Sequence, residues 1–215
     1  MILLLLIITI LIILIVIISL AWRWGSRRHT LPCPVWMKWL LDPPFPGGVS
    51  PRTGKTIERL DIHPGMNVLD AGCGPGRLSI PIAKITGPGG TVTAMDIQDG
   101  MLQEVRRRAD KETITNIRFI QGGIGEGTLE NAHYDRAVLI TVLGEIPDRE
   151  VALREIFGAM KPGGMLLIEE TIRDPHFQTR STVLEIAGLV GFVEKEFFGN
   201  RFSYTLILEK PSSSR

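Results

Sequence analysis

Two patterns of hydrophobic positions divide the chain. Residues 2–22 form an unbroken apolar run whose only polar side chains are those of Thr9 and Ser19. From about residue 52 onward, short runs rich in Val and Ile alternate with stretches in which apolar residues recur at helical spacing. The sequence therefore predicts an apolar helix followed by one α/β domain.

The apolar run predicts a single transmembrane helix over 1–22. As an α-helix it spans about 31 Å, the thickness of a bilayer core. No Lys or Arg precedes the run, which favours a retained anchor over a cleaved signal peptide. Because Arg23, Arg27, Arg28 and Lys38 follow it, we expect a single-pass membrane protein with its domain on the cytoplasmic side. The lipid bilayer is the partner that this helix implies.

Residues 23–51 are expected to form a juxtamembrane segment and a linker. Trp36 to Leu41 fit an interfacial patch, and packing of these side chains on the domain is the equal alternative. Cys33 lies between two prolines, where an inert thiol is favoured over an acylated one. Residues 42–51 are rich in Pro and Gly, which marks the linker. The domain is then expected over 52–210, with a polar tail over 211–215.

The alternation within 52–210 predicts an open, mostly parallel sheet with helices on both faces. Gly199-Asn200 is a favoured hairpin turn, so the last two strands are expected to add one antiparallel edge strand. Ligands of such sheets bind beyond the carboxyl ends of the strands. The predicted strands are Asn67–Asp70, Thr91–Asp96, Ile117–Gln121, Tyr134–Ile140, Met165–Glu169, Phe192–Phe198 and Phe202–Leu208. The predicted helices are Arg77–Ile85, Gly100–Asp110, Asp148–Met160 and Thr179–Leu189.

Composition excludes several functional classes. The chain has 24 Lys and Arg against 23 Asp and Glu, a formal charge of +1, which argues against nucleic-acid binding. Two cysteines cannot supply a disulfide framework. The four histidines show no metal-ligand spacing, so no metal site is predicted. The mean hydropathy of +0.17 reflects the apolar run. The formal charge includes the basic residues that follow this run, and the remainder of the chain is mildly acidic.

A glycine-rich loop after the first predicted strand is the main candidate site. Gly72, Gly74 and Gly76 permit a tight turn and the close approach of a ligand to the backbone. The spacing G-x-G-x-G differs from the dinucleotide fingerprint G-x-G-x-x-G. Asp70 precedes the glycines, where its charge would attract a cationic group, and Asp96 ends the second strand, where it could accept hydrogen bonds from a ribose. Together these features predict a ligand with a ribose and a cationic arm.

Six stretches of the chain, in order, resemble the class I S-adenosylmethionine-dependent methyltransferases of the ubiquinone/menaquinone type. They are VLDAGCGPGRLSIPIA (68–83), TAMDIQDGML (93–102), IRFIQGG (117–123), YDRAVLITVLGEIPD (134–148), EIFGAMKPGGMLLIEE (155–170) and GFVEKEFFGNRFSYTLILEK (191–210). The resemblance implies a Rossmann-like fold with a seven-stranded sheet and a reversed last strand. It also implies S-adenosylmethionine as the cofactor. The expected acceptor is a small or lipid-like molecule, such as a phospholipid head group or a quinone.

The resemblance assigns expected roles to individual residues. Asp70, Gly72 and Gly74 are expected to line the methionine portion of the cofactor, Asp96 to hold the ribose, and Ile97 to pack on the adenine. Thr141 and Val142 are expected to lie near the methyl donor.

Two positions depart from the family pattern. Many relatives carry an acid after the third strand, where this chain has Gly123. Backbone groups of Gly123 and Ile124, or the side chain of Glu126, are expected to bind the adenine instead. Relatives often carry a histidine where this chain has Gly144. Glu145 is then the nearest ionisable candidate for catalysis, with support of the loop or of the next helix as the alternative.

Two other functions stay open from the sequence. A Rossmann domain with a glycine loop also fits a NAD(P)-dependent oxidoreductase, which binding of NAD(H) would reveal. The glycines at 123 and 144 also fit an inactive, membrane-tethered cofactor-binding protein that serves as an assembly factor.

Overall fold

The computed structural model describes residues 2–29 and 49–212, with only part of the side chains in the first range. The expected interfacial patch at Trp36–Leu41, Cys33, and residues 42–48 of the expected linker lie outside the described residues. Residues 213–215 of the expected polar tail lie outside them as well.

The first helix, α1 (Ile2–His29), is longer than the apolar run that predicted it. Its described large apolar side chains between Leu6 and Leu20 are 44% to 60% exposed. Among the residues that the structure describes, no helix is long and apolar enough to cross a membrane. The transmembrane helix expected over 1–22 is therefore not supported by the structure.

Seven strands form one sheet in the order β3-β2-β1-β4-β5-β7-β6. The pairs β1–β2, β2–β3, β1–β4 and β4–β5 are parallel, whereas β7 is antiparallel to both β5 and β6. This confirms the Rossmann-like α/β fold with a mostly parallel sheet. The strands are β1 (Asn67–Ala71), β2 (Thr91–Asp96), β3 (Ile117–Gln121), β4 (Tyr134–Ile140), β5 (Met160–Thr171), β6 (Val193–Asn200) and β7 (Ser203–Glu209).

Helices cover the two faces of the sheet. One apolar cluster joins β1, β4, β5 and β7 to α5 (Arg149–Ala159) and α6 (Arg180–Val190). Two further clusters join the sheet to α2 (Pro51–Leu60), α3 (Ser79–Thr86) and α4 (Asp99–Lys111). Among the largest side chains with less than 2% exposure are those of Tyr134, Leu69 and Leu153. Burial of this apolar surface is what stabilises the three layers.

Helix α2 has no counterpart among the predicted helices. Ser50 caps its start, because the Ser50 hydroxyl oxygen accepts a hydrogen bond from the amide of Thr53 at 3.2 Å, and Pro51 occupies the first turn. A Ser-Pro pair is a recognised helix start, but here it follows a Pro- and Gly-rich stretch that favours a linker. Burial of Thr53, Thr56 and Leu60 against the domain stabilises the helix, and the local sequence does not reveal that packing.

Two details of the last hairpin differ from the prediction. The strand with reversed direction, β7, lies between β5 and β6, so it is not the edge strand. The turn falls at residues 201–202, because Asn200 pairs with Ser203. The Asn200 side-chain oxygen accepts hydrogen bonds from the amides of Phe202 at 2.9 Å and Ser203 at 3.2 Å, an arrangement that starts a turn at Asn200. Gly199 and Asn200 therefore end β6.

Candidate active site

The glycine loop after β1 is tied to the end of β2. The amides of Gly72 and Cys73 both donate to the carbonyl oxygen of Met95, at 2.8 and 2.9 Å. The Asp96 carboxylate accepts a further hydrogen bond from the amide of Gly74 at 2.9 Å. These bonds form because both strands end at the same edge of the sheet. They place Asp96 directly beside the glycine loop.

Glycine is required at 72 by a close approach to the loop after β4. Gly72 has a φ of +72°, and a Cβ there would lie 2.3 Å from a γ-carbon of Val142. Gly74, with a φ of +51°, faces open space on the same loop. The chain therefore packs the first glycine against the loop after β4 and leaves the second accessible.

Asp70 lies beneath the loop and is buried. Its carboxylate accepts a hydrogen bond of 2.5 Å from the hydroxyl of Ser79, at the start of α3. Burial raises the pKa of Asp70 to about 6, and the nearby Asp96 adds to the rise, whereas the Ser79 hydroxyl and Arg77 oppose it. The domain thus holds a carboxyl group with an elevated pKa at the position where the sequence predicts contact with a cationic group.

Asp96 uses both of its carboxylate oxygens on the backbone. One accepts from Gly74 and the other from the amide of Gln98 at 2.9 Å. Burial raises its pKa despite these two bonds. Each oxygen retains one further acceptor position, which a ligand hydroxyl could use. The next residue, Ile97, is 52% exposed, so an apolar side chain is accessible beside this carboxylate.

The loop after β3 places the carboxylate of Glu126 beside Gly123, the position where the sequence lacks an acid. A Cβ on Gly123 would lie 2.8 Å from a carboxylate oxygen of Glu126, so that side chain folds over the glycine. Ile124 packs against the main apolar cluster. The Glu126 side chain and the Gly123 backbone therefore lie together. The contact of the Gly123 and Ile124 backbone groups with adenine stays a prediction.

Thr141, directly after β4, has a strained backbone. Its φ is +54°, a conformation that a β-branched residue rarely adopts. The Thr141 amide donates to the carbonyl oxygen of Glu169 at 2.8 Å, and its hydroxyl donates to the carbonyl oxygen of Ile140 at 2.7 Å. The surrounding bonds hold this strain at the edge of the sheet that carries the glycine loop.

Glu145 lies at the end of a short 3-10 turn, Leu143–Glu145, that follows Thr141 and Val142. Its side chain is 24% exposed. Burial raises its pKa to about 8, with further contributions from Asp174 and Asp96. Asp148, not Glu145, caps α5 by accepting a hydrogen bond from the amide of Val151 at 3.0 Å. Glu145 is therefore not needed as a helix cap, which was one alternative for it.

The structure adds three ionisable residues that the sequence analysis missed. Asp174 and His176 follow β5, and Glu170 lies within it. The Nδ1 atom of His176 is 3.9 Å from a carboxylate oxygen of Glu145 and 3.7 Å from one of Asp174. Burial raises the pKa of Glu170 to about 8. These residues lie at least 25 positions from Glu145, so no local spacing could have connected them to it.

These residues fit S-adenosylmethionine. The open face of Gly74, the spare acceptor positions of Asp96 and the exposed Ile97 offer backbone, polar and apolar contacts along one edge. In residues 2–29 and 49–212, no group of three His, Cys, Asp or Glu side chains could hold a metal ion.

The model of the family described as "Methyltransferase domain" matches residues 62–190. The chain belongs to this family. The chain thus contains a methyltransferase domain, and S-adenosylmethionine is the cofactor that this family implies. The oxidoreductase alternative is not favoured.

Curated relatives include methyltransferases of quinone biosynthesis. The ubiquinone/menaquinone biosynthesis C-methyltransferase of Shewanella woodyi is 34% identical over 122 residues, which cover 56% of this chain and 49% of that protein. The demethylmenaquinone methyltransferase of Lactococcus lactis is 32% identical over 117 residues, which cover 54% of this chain and 46% of that protein. The chain thus spans about half the length of the curated relatives it matches.

Solved structures share the fold at low sequence identity. A SAM-dependent methyltransferase from Aquifex aeolicus superposes with a TM-score of 0.74 at 18% identity, covering 83% of this chain and all of that one. The phosphoethanolamine N-methyltransferase 2 of Haemonchus contortus superposes with a TM-score of 0.63 at 17% identity, covering 74% of this chain and 52% of that one. At these identities the likeness supports the fold alone.

Proposed function

We propose that this methyltransferase acts on a hydroxylated, quinone-like ring that carries a lipid chain. The observation that carries the proposal is the position of Glu145, a partly exposed carboxyl at the edge of the sheet that carries Asp96 and the glycine loop. Similarity to quinone methyltransferases supports the acceptor class. A lipid chain on the acceptor would suit an enzyme held at a membrane.

We assign cofactor contacts as the sequence predicted them. The backbone of Gly72 and Gly74 and the Asp70 carboxyl would line the methionine portion, and the Asp96 carboxylate would accept from the ribose hydroxyls. Ile97 would pack on the adenine. The remaining contacts would come from Gly123, Ile124 and the Glu126 carboxylate at the adenine, and from Thr141 near the transferred methyl group.

Bound S-adenosylmethionine supplies a methyl group already activated by a sulfonium charge. The protein's own work is then to align the acceptor, exclude water and take up a proton. A carbon of a hydroxylated ring is a weak nucleophile until the O–H bond breaks, because the electron pair left on oxygen then delocalises into the ring. Glu145 would receive that proton on a carboxylate oxygen, and a carboxyl with a pKa of about 8 is better matched to a phenolic hydroxyl than an ordinary glutamate.

Calorimetry and a labelled-donor assay test this function. Full-length protein in detergent should bind S-adenosylmethionine, and methyl label should appear in a demethylated quinol offered as substrate. Label in a phospholipid head group would replace the acceptor that we propose. Binding of the cofactor with no labelled product from a total lipid extract would instead favour the assembly-factor alternative. Binding of NAD(H) without binding of S-adenosylmethionine would overturn the function altogether.

We propose further that α1 holds the enzyme at a membrane, with the domain on the cytoplasmic side. The uncharged sequence from residue 2 to 22, the basic residues that follow it and the exposed described side chains of α1 support this. Flotation with phospholipid vesicles tests it. The full chain should float and a chain lacking residues 1–30 should not, while both bind the cofactor. If the shortened chain floats as well, α1 is not the anchor, and the Trp36–Leu41 patch becomes the candidate.

A further inference from the structure

The turn of the β6–β7 hairpin exposes apolar side chains at the surface. Phe202 lies in this turn and is 47% exposed. Its carbonyl oxygen accepts a hydrogen bond of 2.7 Å from the amide of Ile172, which follows β5 and is 43% exposed. Because Thr171 pairs with Ser203, these two residues continue the register and lie opposite each other. Folding has therefore brought two exposed apolar residues together from different parts of the chain.

Arginines border these apolar residues. The Arg201 guanidinium lies over the Phe202 ring, 4.6 Å from its centroid. Arg173 follows Ile172 and is exposed as well. At the surface of a bilayer, aromatic rings lie at the boundary with the acyl chains, while cationic side chains contact the phosphates. Together Ile172, Arg173, Arg201 and Phe202 form the hairpin tip, which has the side chains that such a boundary requires.

Helix α2 presents a basic face beside the hairpin. Arg52, Lys55 and Arg59 follow one another at spacings of three and four residues, which place them on one side of the helix. Arg52 and Lys55 are exposed. All three line a groove of about 390 Å³ whose other wall is formed by residues 198–199 and 203–205 of the hairpin. The basic face and the hairpin therefore form one continuous surface.

Side-chain contacts hold the basic face against the hairpin. The Arg59 guanidinium donates to the Thr205 hydroxyl at 2.7 Å and lies 4.2 Å from the centroid of the Phe198 ring. At the start of α2, the Nε atom of Arg52 donates to the Glu169 carboxylate at 2.6 Å. Glu169 is buried and pairs across the sheet with Thr205. Two of the three cations are thus fixed before any partner binds, which lowers the entropic cost of binding.

Acidic groups lie to the side of this surface. Glu58 and Asp61 are at the other end of α2, where the Asp61 carboxylate lies 3.7 Å from the guanidinium of Arg136, near the start of β4. Asp174 follows Arg173, but its side chain is only 19% exposed. The exposed charge around the hairpin tip is therefore positive, which suits an anionic partner.

The surface adjoins the edge of the sheet that carries the candidate active site. The guanidinium of Arg77, directly after the glycine loop, donates to the Thr53 hydroxyl of α2 at 3.0 Å. The hairpin tip lies where β5 ends, and the glycine loop lies where β1 ends in the same parallel arrangement. A partner bound to this surface would therefore lie beside the cofactor edge.

We propose that Arg52, Lys55 and Arg59 of α2 and the hairpin tip bind the head-group region of an anionic phospholipid bilayer. Charge complementarity decides the occupant, because the cations pair with lipid phosphates while Phe202 and Ile172 enter the boundary with the acyl chains. The edge of the sheet with the glycine loop then faces the bilayer. Delivery of a lipid-chain acceptor from that bilayer rests on the proposed function, whereas binding of the surface to lipid does not.

Photocross-linking of the full-length chain tests the contact. p-Benzoylphenylalanine replaces Phe202 in one chain and Leu189 in another, and each chain is reconstituted into vesicles of phosphatidylcholine with or without phosphatidylglycerol. Leu189 is the matched control, because it is 67% exposed and lies in α6, near the opposite end of the strands. With phosphatidylglycerol present, mass spectrometry should find lipid adducts at position 202 about fivefold or more above those at 189.

Three outcomes of this experiment would overturn the proposal. Equal adduct yields at 202 and 189 would mean that the domain has no preferred side toward the bilayer. Equal yields at 202 in the two kinds of vesicle would mean that charge does not select the lipid. Adducts at 202 with a second copy of the chain or with another protein, in place of lipid, would make the surface a protein interface.

Charge reversal tests the basic side chains. In the double variant Lys55→Glu and Arg201→Glu, the lipid adducts at position 202 should fall by about fivefold or more, because attraction to anionic lipid is lost. The double variant Arg106→Glu and Lys111→Glu is the matched control, since it changes the net charge equally and also removes a guanidinium that lies over an aromatic ring, but on α4. It should leave the adduct yield unchanged. An equal fall in both variants would show an effect of net charge alone and would overturn the proposal.

Kinetics give a second readout and separate this proposal from the proposed function. The variant of Lys55 and Arg201 should have a raised KM for a lipid-chain quinol in vesicles and an unchanged kcat/KM for a soluble short-chain quinol. If the protein methylates no quinol, these constants cannot be recorded, yet the lipid adducts at position 202 still test the surface. If methyl transfer to the lipid-chain quinol is normal and no lipid adduct forms at 202, the proposed function stands and the surface does not bind lipid.

Discussion

The Asp96 carboxylate and the Gly74 amide are joined by a hydrogen bond of 2.9 Å, which ties the end of β2 to the loop after β1. These residues are 22 positions apart: Asp96 ends β2, and Gly74 lies in the loop after β1. The bond fixes the spacing between the groups that we assign to the methionine portion and to the ribose of the cofactor. Loss of Asp96 should therefore weaken cofactor binding both directly and through the loop.

Replacement of Asp96 by Ala should raise the Kd for S-adenosylmethionine, measured by calorimetry. We expect a loss of about 1–3 kcal/mol, because hydrogen bonds to a charged group are removed. Asp99→Ala is the matched control, since Asp99 lies three residues further on and contacts only Gln103 and Arg106 in the described contacts. Equal affinity in Asp96→Ala and wild type would remove Asp96 from the cofactor site.

The pKa of Asp70 predicts a pH dependence of stability. Its pKa is about 6 in the folded protein against 3.8 in the reference state, so between these values the folded protein binds more protons than the unfolded chain. Stability therefore falls as the pH rises from about 4 to 6, by roughly 3 kcal/mol in total. In Asp70→Asn this contribution should vanish, which urea unfolding across the same pH range would measure. If the stabilities of wild type and Asp70→Asn changed in parallel with pH, the elevated pKa of Asp70 in the folded protein would be contradicted.

Gly144→Ala should disrupt the contact with the β5–α6 loop. A Cβ at 144 would lie 1.9 Å from the His176 carbonyl oxygen, so one of the two loops must move. We expect a loss of about 1–3 kcal/mol in the free energy of unfolding, as for other overpacked sites, and a marked fall in methyl transfer. Gly188→Ala is the control, because Gly188 lies in α6 with open space around it, and it should be neutral or stabilising. Equal stability of the two variants would show that the loop yields without cost.

Strain at Thr141 can be separated from function with a second threonine. Thr141 and Thr113 have φ values of +54° and +55°, and Asn adopts this conformation more readily than Thr. Thr141→Asn and Thr113→Asn should each raise the free energy of unfolding by about 1 kcal/mol. Only Thr141→Asn should lower kcat. Thr113 lies between α4 and β3, before the start of the strand, whereas the glycine loop lies where the strands end. Reduced kcat in both would mean that the effect is not local.

Sequence alone determined most of what depends on local chemistry. The cores of all seven strands and four of the helices followed from the spacing of apolar residues, since side-chain period reflects local backbone geometry. The glycine loop and its two acids followed because a tight turn needs Gly and because carboxylates at strand ends share one edge of a parallel sheet. The family resemblance rests on these same short segments.

Tertiary structure decided what depends on contacts between distant residues. It placed β7 inside the sheet rather than at its edge, and it stabilised α2 by packing against the domain where the local composition favours a linker. It also folded Glu126 over Gly123, and it brought His176 to Glu145 across a glycine. Such contacts form only when the whole chain folds, because their energy comes from burial and from groups that are far apart in sequence. For this reason the sequence identified the cofactor edge, while the residues that surround the candidate proton acceptor became visible only in the folded protein.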